Sequence, residues 1–337
     1  MRKTCITVTR GIGLAFVLAL LAAPARAEEI KVGMLKSIAG GPLYLARERG
    51  YFAAENLAAE IAFFDSSQPI ALAVMSRDVT FGATGFSGGF YALAAQGALR
   101  IVSGASREVP GFNFSAYVVS NKAWEAGLRS YKDFPGHSFG ISQVGSPPHY
   151  ALALLSEKYR FDLKSVRLLP LQSISNIVSA LVGGQADAGA LLGAAVLPVI
   201  AKGQVKLLGW SGDETPWQLG AIFVSTKTAT ENPMLIERFL RAYVKGVHDY
   251  HDAFTGPDER RTDGAQAEAV AGIIARYTGL TPERVKQGIV YVDREARIDV
   301  KDVLHQAEWY RSQGLVKSPV DPDQLIDRRF VKPLPTG

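Results

Sequence analysis

The sequence predicts an α/β protein built from two Rossmann-like lobes that two crossing strands join. Short apolar strands alternate with helical stretches through the first two thirds of the chain, the pattern of βαβ units and a mainly parallel sheet. The pattern runs through twice, with matching elements 105 to 107 residues apart. Gly- and Ser-rich loops fall at strand ends in both copies, where open α/β sheets bind their ligands.

The chain opens on an address and not on a strand. Arg2, Lys3 and Arg10 precede a 13-residue apolar run, Gly11 to Ala23, and Ala25-Arg26-Ala27 closes it with a small-x-small motif. A basic start, an apolar middle and a small-residue end make a secretory signal peptide, so cleavage after Ala27 and a periplasmic product are expected. The run is shorter than the roughly 20 residues a membrane-spanning helix needs. Segment 1–27 carries four of the 37 Lys and Arg and none of the 32 Asp and Glu, which leaves 33 bases against 32 acids. Such a balance supplies no basic face for nucleic acid. The single cysteine, Cys5, leaves with the same segment, so the mature chain has no thiol for a disulfide, a metal site or a nucleophile.

The two copies align element by element. Ile30–Phe52 and His137–Tyr159 each read strand, Gly/Ser loop, helix. Ile61–Thr84 and Arg167–Leu192 each read strand, Ser-rich helix start, helix, tight turn, buried strand. Leu99–Ala105 then matches Val205–Ser211, and Ala116–Lys122 matches Ala221–Lys227. Gly33 to Gly140 is 107 residues, Phe63 to Leu169 and Val102 to Leu208 are 106, and Val119 to Val224 is 105. A register kept over four elements predicts two equivalent lobes. The expected crossing strands are Ser115–Ser120 and Ala221–Thr226, few enough to bend as a hinge. Lobe 1 would hold residues 28–114 and 221–337, and lobe 2 residues 115–220. The last third reads as helices: Asn232 caps one that Pro233 starts and that runs to about Tyr250, another spans Ala265–Tyr277, and Thr281-Pro282-Glu283 opens a third. They are expected to cover lobe 1 and the lobe junction.

Three loops at strand ends carry candidate binding chemistry. Ser37, Gly40 and Gly41 follow the first strand, Thr84, Gly85 and Phe86 follow a buried strand, and Ser142, Gly145, Ser146 and His149 follow the first strand of the second copy. Helix starts hold unpaired N–H groups and a partial positive charge, so small residues and hydroxyls there bind an anion without a buried Lys or Arg. Arg107, after Leu99–Ala105, either pairs with a ligand carboxylate or lies at the surface. His149 either donates to an anion or packs as a cap. Trp210, Trp217, Phe86 and Phe112, near strand ends, either wall an apolar ligand body or pack in the core.

Gly85-Phe86-Ser87-Gly88-Gly89 also fits the G-x-S-x-G nucleophile elbow of a serine hydrolase. That reading lacks an upstream HGGG-type oxyanion segment, and the matching Ala190-Leu191-Leu192-Gly193 carries no nucleophile. His248 and His251, three apart on one helix, lack further zinc ligands and are expected on a solvated face.

The opening KVGMLKSIAGGPLYLARERGYFAAENL resembles the start of NitT/TauT-type (NMT1/SsuA-like) solute-binding proteins. The resemblance continues through ALAVMSRDVTFGATG, SYKDFPGHSFGISQVGSPPHYALALLSEKYRFDLKSVRLLPL, ALVGGQADAGALL and AEWYRSQGLVKSPVDPDQLIDRRFV. It implies a type II periplasmic-binding-protein fold, working as a monomer without cofactor and handing its ligand to the permease and ATPase subunits of an ABC importer. It also implies ligand loops at Ser37 to Gly41, Thr84 to Phe86 and Ser142 to Ser146. Where the family often carries Glu-Pro after Gln185-Ala186-Asp187-Ala188, this chain has Leu191-Leu192-Gly193-Ala194, which disfavours an amine-bearing ligand such as taurine. The yeast pyrimidine synthase of this fold uses a Cys-rich segment that the mature chain lacks, so no enzyme is expected. The expected ligand is a small organic anion, a carboxylate or sulfonate with or without an aromatic body. A neutral thiamine-pyrimidine-type precursor is the alternative, and a serine hydrolase the third reading.

Overall fold

The computed structural model describes residues 26–335, so residues 1–25 of the expected signal segment lie outside it. Twelve strands are described: β1 (Glu28–Leu35), β2 (Leu57–Phe64), β3 (Phe81–Gly85), β4 (Leu99–Gly104), β5 (Ser106–Arg107), β6 (Ser115–Ser120), β7 (Ser138–Ile141), β8 (Arg167–Pro170), β9 (Ala188–Leu192), β10 (Val205–Trp210), β11 (Gly220–Ser225) and β12 (Tyr291–Val292). One sheet runs β2-β1-β3-β11-β4, with the first three parallel and β11 antiparallel to both neighbours. The other runs β8-β7-β9-β6-β10 with the same directions. In each sheet the fourth strand is the one that arrives from the other lobe.

The duplication is visible in the ladder. Gly33 lies between Ala62 and Gly82, and Gly140 lies between Leu169 and Gly189. All three pairs are 107 residues apart. The partner of Leu169 in the other copy is therefore Ala62, not Phe63. A one-residue slip turns a strand's faces over, and Phe63 is indeed 43% exposed.

Apolar periodicity decides which faces are covered. In β1, Ile30, Val32 and Met34 are buried in alternation, while all four residues of β7 are buried, as expected of a strand covered on both sides. The helices that follow strands and matter for the cleft are α1 (Gly41–Glu48), α2 (Ser67–Ser76), α3 (Gly88–Ala94), α4 (Pro147–Tyr159) and α5 (Ile174–Val182). The C-terminal third adds α6 (Pro233–Phe254), α7 (Ala267–Thr278) and α8 (Val300–Ser312). Pro233 starts α6, but the Asn232 side chain makes no capping bond and the helix runs to Phe254. Among the described residues no helix is long and apolar enough to cross a membrane.

The crossings differ from those expected. β6 and β11 each lie wholly in one sheet, and the chain passes between lobes just before them, in residues 105–114 and 211–219. Apolar alternation marks the ladders on either side and says nothing of the bridge between. Backbone to backbone the two crossings pair at one bridge: the Glu108 N–H donates to the Trp217 carbonyl at 2.9 Å, and the Trp217 N–H returns the bond at 3.1 Å. α8 pins the second crossing. Asp302 accepts from the Gln218 N–H at 2.7 Å, and the Gln218 side chain donates to the Gly220 carbonyl and accepts from the Asp299 N–H.

Candidate functional site

A cleft of about 1090 Å³, part of it open to solvent, lies between the lobes at the carboxyl ends of the strands. Ser37, Asp65, Ser66, Ser67 and Thr84 line it from lobe 1, and Ser142, Pro147, Ile174 and Leu191 from lobe 2. The crossings contribute Ser106, Phe114 and Trp217, and the start of β6 contributes Ser115. Met34, Leu43, Ile222 and Tyr243 complete an apolar wall. Among the described residues no Lys, Arg or His lines the cleft, and exposed Asp65 is the one charged group that does.

Local chain geometry aims the hydroxyls. Ser37 and Ser66 are extended residues immediately before helical turns, and neither side chain caps its helix. The first N–H groups of α2 have no intrahelical partner and point at the cleft end of the helix. Thr84 donates to the Ser67 hydroxyl oxygen at 2.9 Å, which leaves the Ser67 proton free to be given to a ligand oxygen. The arrangement suits an anionic head held by hydroxyls and helix-start amides, with an apolar body against Trp217 and Phe114.

Of the residues expected from sequence, Ser37, Gly40, Thr84, Gly85 and Ser142 line the cleft. Six others lie elsewhere. Gly41 faces the other way: a Cβ there would lie 2.5 Å from the Tyr250 ring. Phe86 is 1% exposed, packed on Phe90 and Tyr91 in the core. Strand alternation turns Arg107 away from Ser106 and the cleft, and its guanidinium lies 3.7 Å from Asp299. Ser146 is buried and its hydroxyl meets no partner. The start of α4 offers no anion site either, since Pro147 and Pro148 lack N–H groups and those of His149 and Tyr150 both go to the Ser146 carbonyl. His149 is 5% exposed, accepts from the Gly145 N–H at 3.1 Å and sets its ring edge-on to Trp309. Burial pushes its pKa down to about 4, so the ring is neutral.

Gly145 has a different task. Its carbonyl accepts from the Gly88 N–H at 2.8 Å, so the start of α3 is sealed by the opposite lobe. Gly145 holds φ at +81°, and a Cβ there would lie 3.2 Å from Leu315. Gly145→Val is expected to cost about 1–3 kcal/mol through that left-handed backbone. A lower unfolding midpoint checks this; an unchanged midpoint would show that the seal does not depend on the glycine.

Trp217, expected as either wall or core, lines the cleft and is also buried in the core, whereas Trp210, Phe86 and Phe112 do not line the cleft. Ser66, Ser67, Ser106 and Ser115 were not singled out. The first two stand at the Ser-rich helix start that recurs in both copies, while Ser106 sits in the first crossing and Ser115 where that crossing enters β6, which no motif marks. The hydrolase reading fails on geometry: Ser87 is 1% exposed and its hydroxyl caps α3 by accepting from the Phe90 N–H. His251 is buried and faces Glu259, contrary to the solvated face expected for it. Among the described residues no group of His, Cys, Asp and Glu could hold a metal ion.

A family model described as NMT1/THI5 like matches residues 39–259. The chain belongs to the NMT1/THI5-like family. No curated protein matches the chain in sequence. Solved structures similar to this NMT1/THI5-like chain include the periplasmic aliphatic sulphonate binding protein SsuA of Escherichia coli, at 17% identity and TM-score 0.68, covering 92% of this chain and 94% of that one. The alkanesulfonate-binding protein SsuA of Xanthomonas axonopodis pv. citri, bound to MOPS, matches at 18% identity and TM-score 0.69, covering 90% and 99%. The periplasmic nitrate-binding protein NrtA of Synechocystis PCC 6803 matches at 11% identity and TM-score 0.68, covering 90% and 87%. At these identities the likeness establishes the periplasmic-binding-protein fold for this member of the family.

Proposed function

We propose that the chain is the periplasmic substrate-binding component of an ABC importer and captures a small organic anion between its lobes. The observation that carries this reading is the cleft itself: hydroxyls from both lobes and from the first crossing converge on one apolar-walled space that, among the described residues, contains no cationic side chain. A fully desolvated anion needs several such donors, and preformed ones at helix starts need no counter-ion. The reading agrees with the sulfonate and nitrate binders of the same fold. It makes the chain a carrier and not an enzyme, exported by cleavage after Ala27 and delivering its ligand as a monomer to permease and ATPase subunits. Missing cationic side chains favour a singly charged carboxylate or sulfonate over a multiply charged ligand.

Thermal unfolding of ligand-stripped mature protein in methanesulfonate, benzenesulfonate, benzoate, nitrate and a neutral aminopyrimidine tests the proposal. A ligand that binds only the folded state raises the midpoint in proportion to its affinity. At least one organic anion is expected to raise the midpoint by about 2 °C or more. A rise only with the aminopyrimidine would replace the anion by a neutral ring, and no rise with any compound would sink the reading.

A further inference from the structure

Glu108 is 0% exposed, and neither of its carboxylate oxygens has a hydrogen-bond partner. It stands at the point where the two crossings pair, its backbone bonded both ways to Trp217, whose side chain lines the cleft. The groups that face it are few. Asp213, on the turn Ser211–Glu214, and Tyr117, on β6, act on it from the two neighbouring segments. The Ser115 hydroxyl and N–H approach from the start of β6 without meeting the carboxyl in hydrogen-bonding geometry. Among the described residues no cation is one of the groups that act on it, and the adjacent Arg107 guanidinium lies toward Asp299. The second crossing is the contrast, for Gln218 has its polar groups paired by Ser106, Gly220 and the start of α8.

An uncompensated carboxylate in such a place costs several kcal/mol, so the group stays neutral while the hinge is shut. We propose that Glu108 makes closure of the two lobes take up a proton. The inference rests on the proposed lobe closure but not on the identity of the ligand. When the crossings part, water reaches the carboxyl and it ionises in the ordinary carboxylate range; when they shut, it is protonated from solvent. Burial pushes its pKa up to about 8 in the shut form. The shut form therefore binds one proton more than the open form between the ordinary carboxylate range and about pH 8. Closure is favoured on the acidic side and weakens as pH rises, by at most about tenfold per pH unit, then levels off once both forms are ionised.

The test uses the mature protein without any ligand, so that a failed anion screen and a failed hinge proposal remain distinguishable. Small-angle scattering from about pH 6 to pH 9 is expected to show an expanding molecule, while Glu108→Gln, neutral at every pH, stays compact throughout. Infrared difference spectra over the same range are expected to show a protonated-carboxyl band lost near pH 8 in the parent and missing in Glu108→Gln. If that variant does not fold, the parent alone decides. Loss of the band without expansion, expansion without loss of the band, or a carboxyl already ionised at pH 6 would each overturn the proposal.

Discussion

Trp217→Ala is expected to destabilise the protein by about 3–5 kcal/mol, the usual cost of emptying a buried aromatic site. Trp217 is 4% exposed, its indole N–H donates to the Ser211 hydroxyl at 3.3 Å, and its ring lies 5.3 Å from that of Tyr150. The same ring walls the cleft, so the truncated protein loses its ligand surface together with its stability. Denaturant titration reads the stability change directly. Trp217→Phe should recover most of it, because volume and ring packing return while only the indole donor is lost. A loss below about 1 kcal/mol for the alanine variant would show that the ring is not a structural wall.

The second large effect is expected at Gly212. A Cβ there would drive into the carbonyl of Val109, which belongs to the other crossing. Both sides of that contact are backbone, so nothing can rotate away, and Gly212→Val must push the crossings apart next to the Glu108–Trp217 pairing. A cost on the order of 3 kcal/mol or more is expected from such overpacking. Gly272→Ala is the control, since a Cβ at Gly272 in α7 meets open space. That change should stabilise by about 0.5–1 kcal/mol through helix propensity. Chemical denaturation of the two variants side by side checks both signs.

These effects concentrate at the hinge, the part of the molecule least legible in the sequence. The lobes were legible because each copy repeats a whole ladder, with Gly33 and Gly82 facing each other in one sheet and Gly140 and Gly189 in the other. Where side-chain type alone set the alignment, at Phe63, it slipped by one residue. The cleft was half legible. Loops at strand ends located Ser37, Thr84 and Ser142, but strand alternation sent Arg107 to the opposite face from Ser106, and Phe86, just past the end of β3, packs into the core. At α4 the prolines that announce a helix start also remove the donors that would have made it an anion site. Glu108 gave no signal, because a glutamate in a crossing loop reads as surface until burial is known.

A crystal structure of the protein with the anion that most raises its unfolding midpoint tests the central claim most directly. The account predicts the head group between the lobes, its oxygens within about 3.2 Å of hydroxyls or amides from both, Ser67 on one side and Ser142 on the other, with the ligand body against Trp217. A ligand bound outside the cleft, held by one lobe alone, or paired to an Arg or Lys side chain would contradict it.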